Sequence, residues 1–298
     1  KFASEGLVAA LKEEPNLKFH FLAAVVVIII SFILNISQQD WMIIIILIGI
    51  MILSGCDSYI NPTEIRLSVQ PNDAGQSTTP EDTQKAIEII KARFKDCQID
   101  KAFVSLSADN KISIKLPLMT ADQLERVKKL ALATGKLEFK LEADPEIVKD
   151  YTDKFPTAPT GYVWYDTKDI KDPSWWVRVL VHKKAELTGE SLVSAYTNLS
   201  QMEGIVIGFK LNPHGAKIFA DVTSQYAKSV VGDEAARRLA IIFDDKLIMA
   251  PIISNPILGG EGIITGHFTK QEANDIAAIL RNGQMSLPLK IISDTTPK

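Results

Sequence analysis

Two long apolar stretches open the chain, and behind them the pattern changes to short periods. The first runs from Phe19 to Ile36, interrupted by His20, Ser31 and Asn35. The second, Trp41 to Leu53, follows the polar break Ser37-Gln38-Gln39-Asp40. A membrane-spanning helix needs about 20 apolar residues, which the first stretch nearly supplies; the second, of about 13, has the length of a signal-peptide core. From residue 60 onward apolar and polar positions alternate. Glu64 to Val69 reads as a strand. After a Gly/Ser/Thr-rich loop over Asn72 to Thr79, Thr79 with Pro80 and Asp82 predicts a capped helix whose apolar stripe is Ala86, Ile87, Ile90 and Phe94. Lys101 to Ser107 and Lys111 to Leu116 read as strands about an Asp109-Asn110 turn. Thr120 and Gln123 open a second helix with stripe Leu124, Val127 and Ala131, which Gly135 stops; Lys136 to Leu141 is a last strand. The order β-α-β-β-α-β predicts a ferredoxin-like, split βαβ subdomain.

Residues 143–184 are broken by Pro145, Pro156, Pro159 and Pro173, with Trp164, Trp175 and Trp176 between them. Trp175 to Val181 reads as a strand. The Trp pair is assigned to packing, with a docking patch as the alternative. A second α+β unit begins at Glu186. It holds a strand over Glu203 to Leu211, then a helix capped by Asn212 with Pro213 in its first turn and Ala216, Phe219, Thr223 and Tyr226 inward. Arg238 to Phe243 and Leu247 to Ile252 form a hairpin about Asp244-Asp245-Lys246. Gly259-Gly260 leads into Ile263 to Gly266. Thr269 and Glu272 make a capping box for a helix with Ala273, Ile276, Ala277 and Leu280 inward, ended by Arg281-Asn282-Gly283. The expected class is therefore α+β. The expected division is a membrane segment (1–56), a base subdomain (57–145), a connecting segment (146–185), a head subdomain (186–292) and a tail (293–298).

Charge narrows the function classes. The formal net charge of −3 is spread without long runs of one sign, which argues against nucleic acid as a partner. Cys56 and Cys97, with His20, His182, His214 and His267, have no metal-ligand spacing, so neither metal nor cofactor is expected. Gly259, Gly260, Gly262 and Gly266 allow positive φ and close backbone approach, but no Gly-Lys-Ser/Thr follows to make a phosphate loop. No Ser-His-Asp set or carboxylate pair stands out, so the chain is not expected to be an enzyme.

Three resemblances add to this reading. Leu53-Ser54-Gly55-Cys56 resembles a bacterial lipobox, which makes Cys56 a lipidation candidate; an unmodified membrane helix ending at this small-residue turn is the alternative. Glu5-Gly6-Leu7 and Glu13 to His20, followed by the apolar runs, resemble the opening of bacterial diacylglycerol/undecaprenol kinases. That likeness implies metal and ATP binding by Glu14 and Asn16. The family's second-span Glu and Asn are missing where this chain reads Leu53 to Cys56, so the segment is expected to be a kinase remnant or a gene-fusion scar, without phosphoryl transfer.

The third resemblance covers residues from about 64 to 292. Glu186 to Glu190; Leu211 with Gly215, Ala216, Phe219 and Thr223; Ala250-Pro251-Ile252; Pro256-Ile257 and Gly259-Gly260; Ile264 to Thr269; Glu272-Ala273; Leu280 to Gly283; and Pro288-Leu289 resemble, in order, the head motifs of the SecD family of protein-export subunits. Arg93, Leu116-Pro117 and Leu137-Glu138-Phe139 resemble its base motifs. Gly215, Phe219, Pro251, Gly259, Gly260, Gly266, Phe268, Thr269, Glu272, Arg281 and Gly283 carry the head likeness. The resemblance implies a membrane-anchored, extracytoplasmic accessory domain of export whose partners are translocon components or unfolded exported polypeptide. The chain departs from the family at Asp245, where Gly is usual. The family also continues past this point into membrane helices that couple proton flow to movement, so a chain ending at Lys298 is not expected to drive translocation by that route. The competing functional readings are a lipid kinase and an envelope structural domain of unrelated role.

Overall fold

The computed structural model describes residues 63–71, 78–117, 119–168 and 175–295, together with Trp41. Apart from Trp41, the apolar runs lie outside the described residues, as do Cys56, Glu14 and Asn16. Among the described residues, no helix is long and apolar enough to cross a membrane. The chain divides into two compact units, one of 1–65, 115–120 and 293–298, the other of 66–114 and 121–292. The architecture below is that of the second, with strands crossing its limits named at full length.

β1 (Thr63–Val69) leads to α1 (Pro80–Asp96). The α1 N-terminus is fixed by a reciprocal cap: Asp82 N–H donates to Thr79 Oγ1, and Thr79 N–H donates to Asp82 Oδ2 at 3.0 Å. Its stripe of Ala86, Ile87, Ile90 and Phe94 is buried, as the spacing predicts. β2 (Phe103–Leu106), β3 (Ile112–Leu116), α2 (Ala121–Leu132) and β4 (Leu137–Leu141) follow.

α3 (Pro145–Thr152) then starts where a break was expected. Pro145 stands at the first helical position, where a missing N–H costs nothing and φ is preset. β5 (Tyr162–Lys168) and β6 (Trp176–His182) pair antiparallel over all seven residues. Trp175 and Trp176 are 70% and 54% exposed, which overturns the packing assignment. β7 (Leu187–Thr188), β8 (Leu192–Ser200), β9 (Gly204–Leu211) and α4 (Pro213–Tyr226) open the head, followed by the single turn α5 (Lys228–Val231). β10 (Leu239–Phe243), β11 (Lys246–Met249), β12 (Glu261–Ile264), α6 (Lys270–Arg281) and β13 (Leu289–Thr295) complete the chain.

The strands form sheets ordered β13-β1-β3-β2, β11-β10-β4-β7 and β12-β9-β8, with β5-β6 as a separate ribbon. The split βαβ arrangement is present, but its fourth strand is β13, not 137–141. β4 goes instead to the middle of the second sheet, registered along its whole length with β10 from Leu141↔Leu239 to Leu137↔Phe243. The reason is burial on both faces. Leu137, Phe139 and Leu141 enter the head core with Ile207, Phe209, Phe219 and Leu280. On the other face Val179 and Val181 of β6 pack on Ala240, Ile242 and Leu247. The alternation L-E-F-K-L reads as a half-exposed strand, yet Glu138 and Lys140 are both buried.

Candidate functional site: a groove between two helices

Local sequence sets up two walls. α2 presents Arg126, Lys129 and Leu130 along one side. α6 presents Asp275, Ile276 and Ile279 along the other, its start fixed by the predicted capping box: Thr269 N–H and Oγ1–H both donate to Glu272 Oε2 at 2.9 Å. These hydrogen bonds, the backbone one foremost, hold the Glu272 carboxyl below its usual range. The β10–β11 hairpin adds Phe243, Leu247 and Ile248, and the 266–268 turn adds Phe268. Together they enclose a groove of about 1300 Å³ with an apolar floor and a rim of both charge signs.

The walls are tied at two places. Arg126 grips Asp275 bidentately, Nε to Oδ2 at 2.8 Å and Nη2 to Oδ1 at 2.6 Å, and these bonds raise the Arg126 pKa further. Beneath them, Arg93 is wholly buried. Its guanidinium donates to the carbonyls of Leu130, Ala133 and Thr134 at the end of α2, and to Gly283 after α6 at 3.0 Å. Burial lowers the Arg93 pKa to about 10, which still leaves it charged at neutral pH. Gly135 makes room for it, since a Cβ there would lie 2.9 Å from Arg93 Nη2. Burial, then Asp275, push the neighbouring Cys97 thiol up to about 12, so it is a packed neutral thiol rather than a nucleophile.

The hairpin is held over the groove by its own turn. Asp244 Oδ1 accepts from the Lys136 N–H at 2.9 Å and from Thr134 Oγ1 at 2.5 Å. Asp244 and Asp245 both take positive φ, 46° and 61°, a turn in which Gly is favoured at the second position.

Of the motif residues, Gly266, Phe268, Thr269 and Glu272 line the groove. Gly266 does so without positive φ; a Cβ there would lie 2.8 Å from Phe268 Cζ, so the glycine leaves room for the tip of that ring. Of the four glycines that permit positive φ, Gly260 takes it, at 65°, pressed against Ala216. Gly215 abuts Ser191, and Phe219 packs against Phe139 and Phe209 at ring distances of 6.0 and 6.1 Å; these are core positions. Pro251 and Gly259 are exposed, the Pro251 carbonyl accepting from Leu239 N–H. Arg281 reaches Asp96 and the Ala195 carbonyl, and Gly283, with φ 83°, ends α6. Sequence reasoning missed Arg126, Asp275 and Asp244, whose partners lie over a hundred residues away in the chain. Among the described residues no group of His, Cys, Asp and Glu is placed to hold a metal.

Comparisons with known proteins agree with the resemblance noted above. The family model "SecDF, P1 head subdomain" matches residues 163–287, and that for prokaryotic diacylglycerol kinase matches residues 1–56. The protein translocase subunit SecD of Rickettsia felis is 31% identical over 213 residues, covering 70% of this chain and 38% of that protein. SecD of Rickettsia bellii is 33% identical over 210 residues, covering 70% and 37%. The chain thus spans under two fifths of the length of these relatives. A solved structure described as a membrane component SecDF that enhances protein export has the same fold, with a TM-score of 0.54 at 23% identity, over 78% of this chain and 100% of that one. The similarity to SecD is shown, and the chain is a mixed α/β protein of the SecDF kind in fold.

Proposed function

We propose, from this likeness to SecD, that the chain is a membrane-anchored accessory protein of export whose folded part lies on the extracytoplasmic side. In this reading residues 1–56 are the anchor, through an acylated Cys56 or a membrane helix. Residues 57–145, with β4 given up to the head sheet and β13 taken in its place, act as base, and 186–292 with β4 act as head; the protein is not an enzyme. The groove between α2 and α6 receives an extended segment of exported polypeptide or a translocon component. The carrying observation is that this groove brings Leu130, Phe268, Ile276 and Ile279 into one apolar lining, with its two helices tied by Arg93 and by Arg126–Asp275. Extended chains offer the apolar side chains and backbone that such a floor and rim accept.

A photo-crosslinking residue at Gln271, on the rim, tests this. It is expected to capture a stalled secretory polypeptide or a translocon subunit in cells, whereas the same residue at Lys91, on the exposed face of α1, is not. Equal capture from both positions would sink the groove reading. The kinase match at residues 1–56 favours a second reading. With the second-span Glu and Asn absent, purified chain with Mg-ATP and a lipid alcohol is expected to turn over at background. Phosphorylation abolished by Glu14→Gln would reverse that.

A further inference from the structure

The sheet β12-β9-β8 ends at β8, and no described strand pairs with the far side of that strand. β8 is nine residues long, and an open edge of that length is a template for another backbone. The hairpin it forms with β9 also outruns the core. Ala195, Ile207 and Phe209 are buried, whereas Leu199 and Met202, toward the tip, are 75% and 92% exposed.

Side chains already occupy part of that edge. Arg281 Nη1 donates to the Ala195 carbonyl at 2.8 Å, while its Nε and Nη2 are held by Asp96 Oδ2 at 3.1 and 2.9 Å. Four residues along, the Leu199 N–H donates to Asn198 Oδ1 at 2.8 Å. Residues 195 and 199 share one orientation in the strand, because alternate residues point the same way. Both therefore use side chains where a neighbouring strand would otherwise bond. Thr197 lies midway with the same orientation. Among the described residues no side chain takes its backbone groups, and its buried hydroxyl has no partner.

We propose that this edge of β8, centred on Thr197, is a strand-addition site for an extended apolar polypeptide segment, guarded by Arg281 on its Asp96 anchor. Backbone groups repeating every second residue are matched only by another extended backbone, which excludes a folded helix as occupant. Leu199, two residues from the open rung, and Met202, in the turn beyond the strand, are the exposed apolar side chains at this end of the edge and favour an apolar segment. An incoming strand takes over the Ala195 carbonyl and returns Arg281 to Asp96 alone. The site shares no lining residue with the α2–α6 groove, so either can fail without the other.

The test titrates the full chain with fluorescent nine-residue peptides of alternating Val and Thr, flanked by Lys. One peptide is unmodified, one is N-methylated at odd positions and one at even positions. Each methylated set deletes the donors along one side of the peptide strand. One set is expected to lose about tenfold or more in affinity and the other to bind like the unmodified peptide. Equal behaviour of the two sets overturns strand addition. Asp96→Asn and Arg281→Ala, each checked for native circular dichroism, are expected to bind about threefold or more tightly; a folded variant that binds no tighter removes the guard. Ile276→Asp, in the groove, is expected to leave this binding unchanged, and loss there assigns the peptide to the groove instead. Sedimentation showing a dimer of the chain that Leu199→Asp dissolves assigns the edge to a second copy and overturns the proposed occupant.

Discussion

Glu138 and Lys140 stand two apart on β4 with side chains 12% and 6% exposed, on the face covered by the β5–β6 ribbon. Glu138 Oε2 lies 3.1 Å from Lys136 Nζ and 3.3 Å from Lys140 Nζ, an ion pair with each. Lys140 also sits 5.5 Å from the centre of the Tyr165 ring. Removing one member leaves a buried charge alone, so Glu138→Ala is expected to cost about 3 kcal/mol in denaturant unfolding. The joint change Glu138→Leu with Lys140→Met is expected to be neutral or stabilising. Phe219→Ala, which opens the cluster with Phe139 and Phe209, is expected to cost about 3–5 kcal/mol in the same assay. At the hairpin tip the sign reverses. Asp245→Gly relieves a side chain held at φ 61° and is expected to raise stability by about 0.5–1 kcal/mol, reduced by the loss of the exposed Lys136 contact. The spacing of two puts Glu138 and Lys140 on one strand face but does not reveal that this face is covered, and the Phe219–Phe139 contact joins residues eighty apart, beyond any periodic signal. The Asp245 departure could be read, because turn chemistry is local.

At the scale of elements, caps were the most legible feature, since a Thr-x-x-Glu or Asn-Pro signature satisfies helix-end donors within one turn. α1, α4 and α6 begin at the capping residues expected of them. The Glu272 cap gives a pH prediction. A carboxyl held below its unfolded value adds stability above that value, near 4.5, and loses it as pH falls through the folded value. Glu142, which burial pushes up, acts in the opposite sense, so its contribution is lost as pH rises. The readout is therefore the difference between proteins. Between pH 6 and pH 3 the wild-type melting temperature is expected to fall further than that of Glu272→Gln. Parallel curves would show that the cap charge is idle. The elements that escaped the sequence did so for physical reasons. Pro145 both breaks one element and starts another, and only the following turn decides which. β8 mixes Ser, Tyr, Thr and Asn because one edge and one face stay open to water, so its alternation is blurred. β13 follows a proline, and its need for a strand lies in β1, over two hundred residues earlier.

At the scale of the whole molecule, order along the chain and order in the sheets part company at β4 and β13. The layer composition was legible, because each segment's periodicity is its own. The exchange of the fourth strand was not, because it depends on which sheet can bury Leu137, Phe139 and Leu141 on one side and close over Glu138 and Lys140 on the other. Residues 60–298 alone are expected to melt in one cooperative transition by circular dichroism. A fragment ending at Leu287 leaves β1 with a bare edge and is expected to lose that single transition; an unchanged melt would show that β13 is dispensable. The two ends of the described fold meet in this pair. Gln70 N–H donates to the Pro288 carbonyl at 2.8 Å, while Thr295 Oγ1 bonds the backbone N–H and C=O of Glu64 at 3.2 and 3.1 Å. β1 and β13 therefore run antiparallel, with residues 64 and 295 side by side. Traction that draws those two residues apart opens the pair like a zip, one rung at a time and at low force, as antiparallel strands pulled from adjacent ends must. Until the last rung at Gln70 and Pro288 parts, everything between them is a closed loop under no tension.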